Sequence, residues 1–279
     1  MTVGIVTDST CDLPPALCAE LGIEIVPLYV NIDGQSHLDG VDLTREAFYN
    51  GLPGYKATPT TATPGPSAFR RAYQRLADAG ASAVVSIHIA EALSETVNVA
   101  RLAAKSFRSV PVTVIDSGQL TLGVGLTAVH AAREALAGAQ IGDVVESVRS
   151  RISRTFTFAG LATVEFLRKS GRLSRFQYEL AALLRILPLL KMHGGQVDME
   201  RVRTHRRAMR RVVELALEVG ALEELAIVHT NAREQADQML EWVSQLVPTG
   251  TRPVFGQVTP VIGAHIGPGA VGVVCVAKA

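Results

Sequence analysis

Val3-Gly4-Ile5-Val6-Thr7-Asp8-Ser9-Thr10-Cys11-Asp12-Leu13-Pro14-Pro15 opens the chain with a run of apolar residues that ends in carboxylates, hydroxyls and two prolines. The apolar run Val3–Thr7 predicts a buried strand. Prolines just inside a start and Gly22 just past Leu21 predict a helix over Pro14–Leu21, with Asp12 as its cap. A strand running straight into a helix is the building unit of a parallel sheet, and the unit recurs. Ile25–Val30, Ala83–Ile89 and Val112–Ile115 read as further strands, and Pro66–Ala79, Glu95–Phe107 and Leu120–Ala137 as helices. The fold class that follows is α/β, with an N-terminal doubly wound, Rossmann-like parallel sheet.

From about Arg154 the order changes. A strand-like Thr155–Thr163 precedes a short helix at Glu165–Lys169, a turn at Ser170-Gly171-Arg172 and a helix over Ser174–Leu184. Short strands at Leu187–Met192 and Gln196–Glu200, a long helix Thr204–Gly220, a strand Leu225–His229 and a helix Ala232–Leu246 follow. Strands at Arg252–Gln257 and Val271–Ala277 complete an α+β pattern. The expected division is an N-terminal α/β domain over 1–150 and a C-terminal α+β domain over 151–279.

Composition narrows the function classes. With 279 residues and 48% hydrophobic content the chain can bury a full core. A net charge of +1 supplies no global field for a polyanion, so a general nucleic-acid binder is not expected. Cys11, Cys18 and Cys275 form no metal-knuckle spacing and read as reduced thiols. The N-terminus lacks a basic leader and no apolar run is long enough for a membrane span, so a soluble, cytoplasmic protein is expected. The histidines show no HxxH or HExxH spacing, so no metal site is expected, and there is no GxSxG elbow.

Four polar stations interrupt the apolar chain. Thr7–Pro14 puts Asp8, Ser9 and Asp12 at the carboxyl edge of the sheet, where ligands of doubly wound folds sit. Loop-bracing, site lining and nucleophilic catalysis are all open to it. Thr58–Ser67 holds four threonines in six positions, Thr58, Thr60, Thr61 and Thr63, ahead of a helix start suited to an anion. Ser94 stands at another helix start after another strand. Val261–Ala270 sets His265 among glycines, without the lysine of a phosphate-binding loop and with no obvious helix after it. No catalytic set assembles from these stations. A basic helix is the remaining feature: Arg201, Arg203, Arg206, Arg207, Arg210 and Arg211 fall within eleven positions that contain no acid. It reads as a solvated face or as a docking surface for an acidic partner, and Arg172 is placed to join it.

Taken in order, these residues resemble the DegV family of bacterial lipid-binding proteins over nearly the whole chain. The likeness rests on Val6–Pro14, Val26-Pro27-Leu28, the turn Thr61–Pro66, Leu93-Ser94, Ile115-Asp116-Ser117, Ser170–Ser174, Ile186-Leu187-Pro188 and His265–Gly269. The resemblance implies a two-domain protein without enzymatic activity of its own. It would hold a long-chain fatty acid such as palmitate in a buried tunnel, with the carboxylate near the domain junction, and would need no other cofactor. It also implies a partner, a separate kinase that phosphorylates the presented carboxylate. Thr61, Ser94 and His265 would bind the carboxylate, with Ser9, Thr60, Ala62, Thr63 and Gly267 as possible lining. Arg172, Arg203, Arg206 and Arg207 would dock the kinase.

The chain departs from the family pattern at three places. The family's Thr-Ser is Thr61-Ala62 here, so one hydroxyl is lost unless Thr60 or Thr63 substitutes. Glu95-Thr96-Val97 stands where Gly-Thr-Tyr is usual, and Glu95 is expected to face solvent. Leu187 replaces a lysine. Two other readings stay open at this level: a hydrolase or phosphotransferase using Asp8 and His265, and an interaction protein acting through the Arg201–Arg211 helix.

Overall fold

The computed structural model describes residues 2–171 and 187–279. The helix expected over Ser174–Leu184, and with it Arg172, lies outside those residues. The first half runs β1 (Thr2–Asp8), α1 (Pro15–Leu21), β2 (Ile23–Val26), β3 (Tyr29–Ile32), β4 (Gln35–Leu38), α2 (Arg45–Gly51), β5 (Thr60–Ala62), α3 (Pro66–Asp78), β6 (Ala81–His88), α4 (Thr96–Ser106), β7 (Val112–Asp116), α5 (Leu122–Leu136) and α6 (Ile141–Ile152). The second half continues with β8 (Thr155–Gly160), α7 (Glu165–Lys169), β9 (Leu187–His193), β10 (Gln196–Val202), α8 (His205–Glu218), β11 (Leu222–His229), α9 (Arg233–Val243), β12 (Val254–Gln257), α10 (Pro260–Ile266) and β13 (Val271–Ala277).

The first sheet is parallel throughout, in the order β2-β1-β6-β7. Successive side chains of a strand point to opposite faces, and here both faces are apolar. Ile5 packs with Val85, Ile87 and the α5–α6 side, while its neighbour Val6 packs with Val84 and with Phe69 and Tyr73 of α3. That is the doubly wound arrangement. The connection after β1, through α1, and the connection after β6, through α4, lie on opposite faces, and the crevice at the carboxyl ends of β1 and β6 is the topological switch point.

The second sheet is mixed, in the order β10-β9-β8-β13-β11-β12, with only β11 and β12 parallel. One face packs on α8 and α9 through Phe158, Val212, Leu225 and Met239. The other face gives Leu190, Met192, Ala226 and Val274 to the core that contains Leu122, Leu126 and Val129 of α5. Helix α5 therefore lies between the two sheets. Gly123-Val124-Gly125 sits inside it, and a Cβ on Gly125 would fall 2.3 Å from the carbonyl oxygen of Cys11, so glycine permits the close approach to the turn after β1.

Four local expectations change. The strand expected over Ile25–Val30 is two strands, β2 and β3, broken at Pro27-Leu28. Proline has no amide hydrogen to donate, and the chain leaves the parallel sheet there. β3 enters a small antiparallel sheet of order β4-β3-β5. The Thr-rich stretch is accordingly part strand: Thr61 pairs with Val30 across β5 and β3 rather than capping a helix. Asp12 does not cap α1, whose N-cap is Pro14 without a side-chain bond. Its carboxylate instead accepts the amide N–H of Thr259 at 2.8 Å and the hydroxyl of Thr121. Finally, the glycine-rich stretch around His265 is largely helical. α10 is capped by Thr259, whose hydroxyl accepts the Val261 N–H at 3.0 Å, and has Pro260 in its first turn.

Candidate functional site

A cavity of about 330 Å³ opens where the carboxyl edge of the first sheet meets β5 and α10. Its walls are chiefly apolar: Leu28, Ile89, Leu93, Leu120, Leu190 and Ile262. A smaller void of about 30 Å³ shares Leu120, Leu190, Ile262 and Ile266 with it and extends toward β8 and β13. The polar groups gather in one part of the lining, from Thr10, Thr61, Thr63, Ser94, Glu95 and His265. An apolar chamber with a few convergent polar groups is the usual form of a small-molecule site.

Each polar group is held by a different element. Thr61 on β5 and His265 in the last turn of α10 meet with Oγ1 and Nε2 2.8 Å apart. With hydrogen on Nε2 the imidazole donates to Thr61, and the Thr61 proton is left for the cavity. Ser94 precedes α4; its hydroxyl accepts the Thr96 N–H at 3.3 Å and lies 2.8 Å from Thr96 Oγ1. Thr96 Oγ1 is in turn 3.1 Å from Thr63 Oγ1. Three hydroxyls thus form a continuous chain, of which Thr96 is the fully buried link.

Of the lining residues named from the sequence, Ala62 and Thr63 are in the wall, and Ser9, Thr60 and Gly267 are not. Ser9 Oγ accepts the Leu28 N–H at 3.2 Å, and Thr60, exposed, accepts from Asn31. A Cβ on Gly267, which sits at positive φ, would run into the Phe166 ring, so the lack of a side chain there permits the packing of α10 on α7. Thr63, then, is the neighbouring hydroxyl that faces the cavity beside Ala62. Glu95 is exposed at the rim and accepts a hydrogen bond from Asn98 at 2.9 Å, in keeping with the expectation that it faces solvent.

Asp8 and His265 do not form a pair. Asp8 Oδ2 is 2.9 Å from His88 Nδ1 and accepts the Ile89 N–H at 3.1 Å, while Oδ1 accepts the N–H and hydroxyl of Thr10. Burial opposes ionisation of Asp8, yet the bond and charge of His88, helped by Thr10 and Ile89, outweigh it and hold the carboxyl below its ordinary range. His88 continues to Ser86 at 2.6 Å, and Ser86 to Tyr73 at 3.1 Å. The order of carboxylate, imidazole and hydroxyl matches a hydrolase triad, but Asp8, His88 and Ser86 have no solvent exposure. This network braces the floor beneath Thr10 and Ile89. Nothing in the first strand's sequence paired Asp8 with His88; the parallel register of β1 and β6 does so.

A sequence model described as uncharacterised protein of the DegV family matches residues 2–278. The chain belongs to the DegV family. A DegV domain-containing protein of Streptomyces coelicolor is 34% identical over 98% of this chain and 97% of its own, and one of Deinococcus radiodurans is 36% identical over 98% of each. Among solved structures, a DegV family protein from Thermus thermophilus described for its fatty-acid binding superposes with a TM-score of 0.89 at 30% identity, covering 100% of both chains. DegV of Bacillus subtilis, described as a fatty acid binding protein, gives 0.88 at 26% over 99% of both.

The arginine-rich segment of this DegV family chain lies away from the cavity lining, on β10 and the first turns of α8. Glu200, Arg201, Arg203, Arg206, Arg207, Arg210 and Arg211 border a groove of about 930 Å³. Arg211 is bonded to Glu200 at 3.1 Å and to Glu214 and Glu218 at 3.1 and 2.9 Å, acids contributed from outside the basic run. Arg203, Arg206, Arg207 and Arg210 are exposed and make no ion pair among the described residues. Cys11, Cys18 and Cys275 are free and buried, and no helix among the described residues is long and apolar enough to cross a membrane.

Proposed function

We propose that this chain binds one long-chain fatty acid, with the acyl tail in the apolar cavity and the carboxylate at Thr61, Ser94 and His265, and presents that carboxylate to a separate kinase. The observation that carries the reading is the gathering of hydroxyl groups and one imidazole at one part of an otherwise apolar chamber. Burying a tail of ~14 methylenes at ~0.8 kcal/mol each supplies roughly 11 kcal/mol before immobilisation costs. The carboxylate needs donors, since an unpaired buried charge would cancel much of that gain. The fatty-acid-binding descriptions of the Thermus and Bacillus relatives support the same ligand class.

Release of mass on denaturing a gently purified, natively sprayed sample tests the binding directly. One fatty acid per chain is the expected result; a ligand-free protein that also refuses added palmitate overturns the reading. The phosphoryl transfer belongs to the partner in this scheme, and the unpaired Arg203, Arg206, Arg207 and Arg210 support its docking through charge. Acyl phosphate should form only with palmitate, ATP and the kinase together. Charge reversal at Arg203 and Arg207 should raise the KM for the loaded protein and leave palmitate affinity unchanged.

A further inference from the structure

We propose that Thr96 is the positioning residue of the head-group site, fixing the direction in which Ser94 gives its proton. The inference rests on the fatty-acid reading of the cavity. The chain Thr63–Thr96–Ser94 contains three hydroxyls joined by two hydrogen bonds, at 3.1 and 2.8 Å. Each hydroxyl has one proton, so two protons are consumed internally and a single one is left for a ligand. Ser94 Oγ already accepts the backbone N–H of Thr96. When it accepts the Thr96 hydroxyl as well, both of its lone pairs are engaged and its own proton points outward, into the cavity that Ser94 lines.

In the proposed arrangement the chain runs from Thr63 to Thr96 to Ser94 to carboxylate, and each bond strengthens the next. Thr96 is fully buried, so water cannot compete for its hydroxyl. The second carboxylate oxygen takes the Thr61 proton, freed when His265 donates through Nε2. Two relays of one proton each match the two oxygens of a carboxylate. Both relays end in donors, and donors bond an anionic carboxylate more strongly than a neutral ester. The arrangement also explains how the site works with Ala62 in place of a hydroxyl residue: the hydroxyl of Thr63 acts through Thr96.

The test is calorimetric titration of the delipidated full chain with palmitate and, as a probe of the tail alone, with methyl palmitate. Thr96→Val should weaken palmitate about five- to tenfold and leave methyl palmitate within about twofold, and Thr96→Ser should restore palmitate to near the wild-type value. Thr63→Val, at a half-buried position, should weaken palmitate about two- to fivefold and keeps the test open if Thr96→Val does not fold. The proposal is overturned if Thr96→Val binds palmitate like wild type while Ser94→Ala loses affinity. It is equally overturned if acid and ester weaken together, which would make Thr96 a packing residue. Wild-type protein that takes up neither probe overturns the fatty-acid reading itself, and the proposal with it.

Discussion

Thr61 and His265 are 204 positions apart, yet Oγ1 of one lies 2.8 Å from Nε2 of the other. The bond ties the small antiparallel sheet to α10 and makes the Thr61 proton available to a ligand only while the imidazole donates. Thr61→Val keeps the shape and removes the donor. Palmitate affinity should fall about 10- to 100-fold, the range for a hydrogen bond to a charged group, with little change in thermal midpoint. An unchanged Kd in a titration would remove Thr61 from the head-group site.

Gln119 joins the first half of the chain to the second sheet. Its amide nitrogen donates to the carbonyls of Thr155 and Met192 at 2.9 and 3.4 Å, and its oxygen accepts the Thr157 hydroxyl at 2.7 Å. All of this is buried. Gln119→Ala strands those groups, so unfolding in urea should show a loss of about 2–4 kcal/mol, from a cavity and from unpaired polar atoms. A loss below about 1 kcal/mol would mean that water replaces the amide.

Acidity should stabilise the fold within a defined window. Asp12 and Asp39 converge on Thr259, Asp12 accepting its N–H and Asp39 its hydroxyl, each at 2.8 Å. Burial pushes Asp12 up to about 7 and Asp39 up to about 6; Arg45 and the hydroxyl bonds offset only part of this. Folded pKa values above the unfolded ones mean that the folded chain holds more protons between about pH 4 and 7, so stability declines as pH rises through that range. Asp8 acts in the opposite sense below about pH 4, where protonation would cost it the His88 pairing, and His130 and His229, whose pKa values burial lowers, offset part of the trend just below about pH 6.5. The urea midpoint should be higher at pH 5.5 than at pH 7.5, and Asp12→Asn should flatten the difference. A midpoint that rises toward neutrality would contradict the assignment.

Gly263 marks the tightest packing of α10. A Cβ there would lie 2.5 Å from the Tyr49 hydroxyl and 3.1 Å from the Phe48 ring, both on α2. Tyr49 is itself fixed by donating to the Val258 carbonyl at 3.0 Å. Gly263→Ala should therefore push α10 away and destabilise the protein by about 1–3 kcal/mol, offset in part by better helix propensity. Since α10 carries His265, palmitate affinity should fall in parallel with stability, and an affinity that holds while stability drops would separate the two.

The parts of the fold that could be read from sequence are those whose pattern is local. β1, β6 and β13 are apolar, β-branched and buried, and the helices that follow the first two begin at prolines or beside hydroxyls. β4, with Gln35-Ser36-His37-Leu38, and the three-residue β5 carry no such pattern; pairing with β3 defines them, and for β5 that partner lies 29 to 33 positions away. α10 was concealed by Gly263 and by the glycines after His265. At the site, Thr61, Ser94 and His265 are legible as separate polar stations, but their joint role at one carboxylate rests on family resemblance, because no local spacing joins them. Thr96 was visible only as a neighbour of Ser94: its importance depends on the distance to Thr63, and distance across a fold has no one-dimensional signal. The pairing of Asp8 with His88 was hidden for the same reason.

The position of α5 has a thermodynamic consequence. Leu122, Leu126 and Val129 share one apolar cluster with Ile5 and Val85 of the first sheet and with Leu190 and Val274 of the second. The second sheet has that face covered only when α5 is folded on the first sheet, and α5 has both of its sides covered only when both sheets are present. Denaturation should accordingly proceed as one cooperative transition rather than two, with coincident curves from probes in either half. A fragment cut near residue 150 would expose the second-sheet side of α5 to solvent and aggregate, so the two topologies of this chain are separate in pattern but melt together.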